Sequence, residues 1–178
     1  EVPMSDYEGM IQTNYLGAVR LTRAVLPHML AAGGGRIVNI ASVAGLAGSP
    51  NLAAYTASKF ALVGFSESLD LEYSPVIRVG VLCPGPVQTP FFRGEDPSRF
   101  FPAPILRGIL DAGTVARHAV DFIDSPRVLV LPRTLAPLLA FRTLFPGIYR
   151  RIVKKMYDRH FQSLKTAVTD SSPKTIGK

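Results

Sequence analysis

The 178-residue sequence predicts an α/β domain built on a parallel sheet, because helical and strand patterns alternate along it. Two stretches, 5–32 and 53–73, carry apolar residues at helical recurrence. Three short β-branched runs, at 36–41, 77–82 and 127–131, suit buried parallel strands. Glycine and proline mark the boundaries between them.

Taken in order, the first helix has Ser5 as an N-cap, with Glu8 three residues on as capping-box partner. Met10, Leu16, Val19, Val25 and Leu26 recur along it, and Gly33, Gly34 and Gly35 end it. After the strand at 36–41, residues 42–52 are small and flexible and read as a loop. The helix at 53–73 follows through Tyr55, Leu62, Phe65, Leu69 and Tyr73, and Pro75 marks its exit. The strand at 77–82 closes on Cys83, Pro84, Gly85 and Pro86. Residues 86–113, with five prolines, read as a long irregular loop, of the kind that serves function or is disordered. Thr114 caps a short helix to Ile123, the strand at 127–131 stops at Pro132, and 135–164 is helical with a break near Pro146 and Gly147. The last dozen residues resemble a frayed tail.

Composition narrows the function classes. Hydrophobic residues make up 47% and charged residues 19%, the balance of a globular chain. The single cysteine, Cys83, excludes an internal disulfide framework and fits a reducing compartment. With no secretory signal and no apolar run of about 18 residues, a cytoplasmic protein is expected. Residues 1–90 hold five Lys/Arg against six Asp/Glu, whereas 91–178 hold fifteen against seven, so the net +7 belongs to the C-terminal part. No zinc-finger spacing, basic zipper or aromatic RNA-binding signature accompanies that charge, which argues against nucleic acid. His28, His118 and His160 lack ligand spacing, so no metal site is expected.

The chemistry-bearing residues start with Tyr55 and Lys59, at i and i+4 on one helix face. An ammonium about 5 Å from a phenol stabilises the phenolate by ~3 kcal/mol at an effective dielectric near 20, which predicts a tyrosine lowered by roughly two pKa units toward neutrality. Such a tyrosine exchanges a proton with a carbonyl or alcohol oxygen. The pair alone is weak evidence. Ser42, thirteen residues before Tyr55 and at the carboxyl end of a predicted strand, is a plausible third member. Asn14, mid-helix where asparagine is mildly unfavourable, is a plausible fourth. In parallel sheets ligands sit beyond the carboxyl strand ends, where Ser42, Pro84 and Gly85 share a rim.

The stretch GRIVNIASVAGLAGSPNLAAYTASK at 35–59 resembles the catalytic segment of the short-chain dehydrogenase/reductase family. CPGPVQTPF at 83–91 resembles the family's cofactor-side turn, and NYLG at 14–17 its asparagine-containing helix. The likeness runs from about residue 5 to 92 and implies a Rossmann-like, doubly wound parallel sheet. By that resemblance Tyr55 is the general acid/base, and Lys59 lowers its pKa and binds the nicotinamide ribose. Ser42 polarises the substrate oxygen, and Asn14 holds a water in a proton relay. Pro84, Gly85 and Val87 line the nicotinamide of NAD(P)(H), and Thr89 contacts its carboxamide or phosphates. A homodimer or homotetramer is implied as well.

The family's glycine-rich phosphate loop, its Asn-Ala-Gly turn and the residue separating NAD from NADP do not occur in the sequence. Together with a first residue that is Glu, this predicts a partial sequence, with the N-terminal strands missing, the strand at 36–41 left as an open edge, and no turnover by this polypeptide alone. Residues 1–132 are assigned to the catalytic domain and 133–178 to a basic amphipathic helical extension with its tail. Phe91 and Phe92, with Phe100, Phe101, Ile105 and Leu106, suggest an apolar lid over 88–112 and an apolar substrate. Ordinary loop packing explains them equally well. Residues 133–159 hold seven Arg/Lys and one acidic residue; they read either as a packed helix with a solvated basic face or as a peripheral membrane contact through 133–160. The competing class of function is an inert module that only dimerises.

Overall fold

The computed structural model describes residues 2–92 and 94–170, and of Phe92 and residues 167–170 the backbone alone. A helix opens the chain as α1 (Met4–Ile11), passes through a π turn (Gln12–Leu16) and continues as α2 (Gly17–Ala31). Then come β1 (Gly35–Ile40), a 3₁₀ turn (Val43–Gly45), α3 (Ala53–Tyr73) and β2 (Ile77–Pro84). The remainder is β3 (Val87–Gln88), α4 (Ala103–Leu106), β4 (Leu110–Asp111), α5 (Ala112–Asp121), β5 (Val128–Leu131), α6 (Ala136–Leu144) and α7 (Pro146–Asp170).

The main sheet is parallel, in the order β1-β2-β5. Alternation along β2 decides what covers each face. Val79, Val81 and Cys83 point toward α3, packing with Leu62, Val63, Phe65 and Leu69, and Leu26 and Met29 of α2 join that layer. Leu82 points the other way, against Phe122, Leu129 and Leu131, with Val115 and Ala119 of α5. Both faces of β2 are therefore dry, and Ile77, Leu82 and Cys83 are fully buried. Helices on both faces of a parallel sheet make the doubly wound, Rossmann-like architecture.

The expected elements form, with local differences. α2 ends in a Schellman motif: Gly34 N donates to Met29 O and Gly33 N to Leu30 O, both at 3.0 Å, and Gly33 takes φ +83°. Ser5 is not the first cap; Pro3 is, with no side-chain bond, and Ser5 lies inside the first turn. Thr114 is not a cap either. The Asp111 carboxylate accepts from Thr114 N at 2.8 Å, and an anion there outcompetes a neutral hydroxyl. The segment 86–113 is less irregular than expected, because Val87 and Gln88 pair with Leu110 and Asp111 as a second, two-stranded parallel sheet.

The C-terminal helices fold back on the body of the chain. Tyr157 of α7 is buried and its hydroxyl lies 3.2 Å from Ser49 Oγ in the loop before α3. The Tyr157 side of α7 is therefore packed, while Ile148 and Ile152 of the same helix stay exposed. No helix among the described residues is long and apolar enough to cross a membrane.

Candidate active site

β1 and β2 end side by side, and the chain turns there twice. Ser42, just past β1, caps the 3₁₀ turn: its Oγ accepts from Ala44 N at 3.1 Å and donates to Pro84 O, the last residue of β2, at 3.4 Å. The turn then runs flat against α3. A Cβ on Gly45 would stand 2.7 Å from Lys59 O, so only glycine lets the two backbones approach.

Tyr55 sits in the first turn of α3 and Lys59 one turn later. Lys59 Nζ lies 5.7 Å from the centroid of the Tyr55 ring and donates to Ile40 O, the last carbonyl of β1, at 3.1 Å. That bond holds the ammonium at the strand end. The Tyr55 ring also leans on Phe91, with centroids 5.4 Å apart, so the segment after Gln88 reaches the same rim. The side chain of Phe92 lies outside the described residues.

Asn14 enters from the first helix, within the π turn, a widening that recurs at functional positions. Its Nδ2 donates to Ser58 Oγ at 3.0 Å, and Ser58 Oγ donates to Tyr55 O at 2.7 Å. Ser58 is fully buried. Asn14 is thus coupled to the backbone of Tyr55 through a serine that sequence reasoning passed over; its position at i+3 from Tyr55 was the only signal. Ile40 was missed for a plainer reason, since only its carbonyl takes part.

On the β2 side, Gly85 N donates to Leu131 O at 2.7 Å, fixing the Pro84-Gly85 turn to the end of β5. Val87 lies in β3, and Thr89 turns its hydroxyl back onto Val87 O at 3.4 Å.

The ionisation of the pair departs from the sequence expectation. The Tyr55 phenol is raised above 10.0, not lowered, because burial outweighs the Ser42 side-chain interaction that pulls it down. Burial likewise lowers Lys59. The expected two-unit depression counted the ammonium alone and left out desolvation, which acts on both groups in the direction of neutrality. At neutral pH the phenol carries its proton.

The rim has the donors a nicotinamide ribose and a substrate oxygen need: an ammonium, a phenol and a serine hydroxyl at carboxyl strand ends. Among the described residues no cluster of His, Cys, Asp or Glu could hold a metal.

Comparison with known proteins identifies the family and the fold. Residues 1–99 match the family model described as short chain dehydrogenase. The chain is 41% identical over 90 residues to the uncharacterized oxidoreductase YusZ of Bacillus subtilis, covering 50% of this chain and 32% of that protein. It is 30% identical over 158 residues to human 17-beta-hydroxysteroid dehydrogenase 13, covering 86% of this chain and 50% of that protein. Among solved structures, carveol dehydrogenase from Mycobacterium avium in complex with NAD superposes with a TM-score of 0.66 at 25% identity, over 74% of this chain and 57% of that one. The chain therefore spans about a third to a half of the length of these curated relatives.

Proposed function

The chain belongs to the short-chain dehydrogenase family, and from that premise we propose that its Tyr55 rim interconverts an alcohol and a ketone or aldehyde with a nicotinamide cofactor. The observation that carries this reading is the meeting of Tyr55, Lys59 and Ser42 at the adjoining ends of β1 and β2.

In the reductive direction the neutral Tyr55 phenol gives its proton to the carbonyl oxygen as the carbon is reduced; in the oxidative direction the phenolate takes the alcohol proton back. Ser42 Oγ has a single hydrogen, so it turns from its long bond to Pro84 O to donate to that oxygen, and Lys59 draws the charge of the phenolate. The cofactor, when bound, supplies or accepts the hydride. Tyr55, Lys59, Pro84, Gly85, Val87 and Thr89 would hold its nicotinamide end. Asn14, tied to the Tyr55 carbonyl through Ser58, would hold a water in the proton relay. Phe91 against the Tyr55 ring supports an apolar substrate. Relatives named for a hydroxysteroid and for carveol fit that reading.

Tyr55→Phe removes the proton donor without changing the ring that packs on Phe91. In a preparation with measurable turnover, kcat is expected to drop by roughly 10²–10⁴-fold, with unchanged far-UV circular dichroism. Full kcat in that variant would refute the assignment.

A further inference from the structure

A cleft of about 1310 Å³ opens between the loop at 48–51, the first turn of α3 and the α6–α7 hairpin. Its α3 wall is Ala53, Thr56 and Ala57. At about 100° per residue Ala53 and Ala57 lie about 160° from Tyr55 around the helix and Thr56 about 100°, so the cleft and the catalytic rim are on different faces.

Two properties of the walls point to a ligand. Arg142, Arg150, Arg151 and Lys154 line the cleft, and of these four only Lys154 has an acidic partner among the described residues, Asp158 at 2.8 Å. Between the cations the surface is apolar, from Pro146, Val153 and Phe161 across to Ala53 and Ala57. Arginine forks suit a phosphate or carboxylate, and the hydrocarbon between them suits an alkyl chain.

We infer that this cleft is a second binding site, separate from the Tyr55 rim, for a single-chain amphiphile with an anionic head. Arg142, Arg150 and Arg151 hold the head, and the apolar wall takes the chain. The ligand bridges α7 to α3 and so braces the helix that carries Tyr55 and Lys59.

Dodecyl phosphate, titrated calorimetrically below its micelle concentration into the 178-residue chain, is the test. One saturable site per chain is expected, with inorganic phosphate bound roughly tenfold more weakly or worse. Arg150→Ala combined with Arg151→Ala should weaken dodecyl phosphate by about tenfold or more. Ala57→Trp, which fills the cleft from an exposed helix position and keeps every arginine, should do the same. Folding of each variant is checked by circular dichroism, and Ala57→Trp decides if the arginine variant does not fold. Tyr55→Phe should leave the affinity unchanged, so that loss of the catalytic assignment and loss of this one are told apart. Undiminished binding by the cleft variants overturns the inference. So does an absence of saturable binding, or binding of phosphatidylglycerol vesicles without binding of the free amphiphile, which would assign the arginines to a membrane surface.

Discussion

Cys83 is fully buried on β2 and its thiol is pushed up from 9.0 to about 11, first by desolvation, against a backbone hydrogen bond from Ser42. Tyr55, Tyr149 and Tyr157 are raised in the same direction, each first by burial. All four groups are neutral when protonated, so the folded chain keeps these protons to higher pH than the unfolded chain. The unfolded thiol releases its proton near 9.0 while the folded one holds it to about 11. Stability is therefore fully present below pH 9 and declines as pH rises through that window. For Cys83 alone the effect is on the order of 3 kcal/mol. Urea unfolding at pH 8 and pH 10.5 measures it, and Cys83→Ala should flatten the slope between the two. An unchanged slope would remove Cys83 as its source. That Tyr55, Lys59 and Ser42 share one rim was legible in the sequence, because helical spacing and strand position put them there. The sign of the Tyr55 shift was not, because it depends on how much water the fold excludes.

At the scale of elements, the position of Ser42 depends on Gly45. A Cβ there would lie 2.7 Å from Lys59 O and 2.9 Å from Lys59 C, and helix backbone cannot yield as a flexible side chain can. Gly45→Ala should lift the 3₁₀ turn off α3, costing about 1–3 kcal/mol and lowering kcat with it. Gly48, with nothing within 4 Å of an added Cβ, is the control, and Gly48→Ala should stay within about 0.5 kcal/mol. Equal stability of the two variants in urea unfolding would show that the turn has room to move. The same contact explains what local pattern could and could not reveal. Helix 53–73 was readable because its apolar positions and Pro75 lie in one continuous stretch, and the structure gives Ala53–Tyr73. The cap at Asp111 and the pairing of Val87 with Leu110 were not, since each rests on a competition or a partner outside the local window. Asn14 and its partner Ser58 are 44 residues apart, so the bond that gives a mid-helix asparagine its use appears only once α3 has packed.

For the whole molecule, two surfaces stand uncovered among the described residues: the edge of β1, where the family resemblance expects a preceding strand, and a helix face. β1 is the outer strand of the main sheet among the described residues, with an unpaired edge. Gly35 N donates to Val76 O, just before β2, and Ala41 N to Leu82 O within it, so by alternation the Arg36 N–H points outward. Edge pairing would be indefinite, and the exposed charge of Arg36 opposes it. The second surface is helical: Leu71 of α3 is 85% exposed and Leu21 of α2 is 66% exposed, with Phe60 on the same stripe of α3 as Leu71. A contact between two such helix faces about a two-fold axis would close. We expect a dimer through α3, which also fits the family resemblance. Sedimentation should find that Leu71→Glu yields monomer, whereas Arg36→Pro, which deletes the outward edge donor, leaves the mass unchanged. The reverse pattern would give the contact to β1. Because α3 carries Tyr55 and Lys59 on another face, a dimer through α3 also fixes the helix on which the proposed chemistry depends. Leu71→Glu should therefore lower the melting temperature of the chain in a concentration-dependent comparison with the unaltered protein.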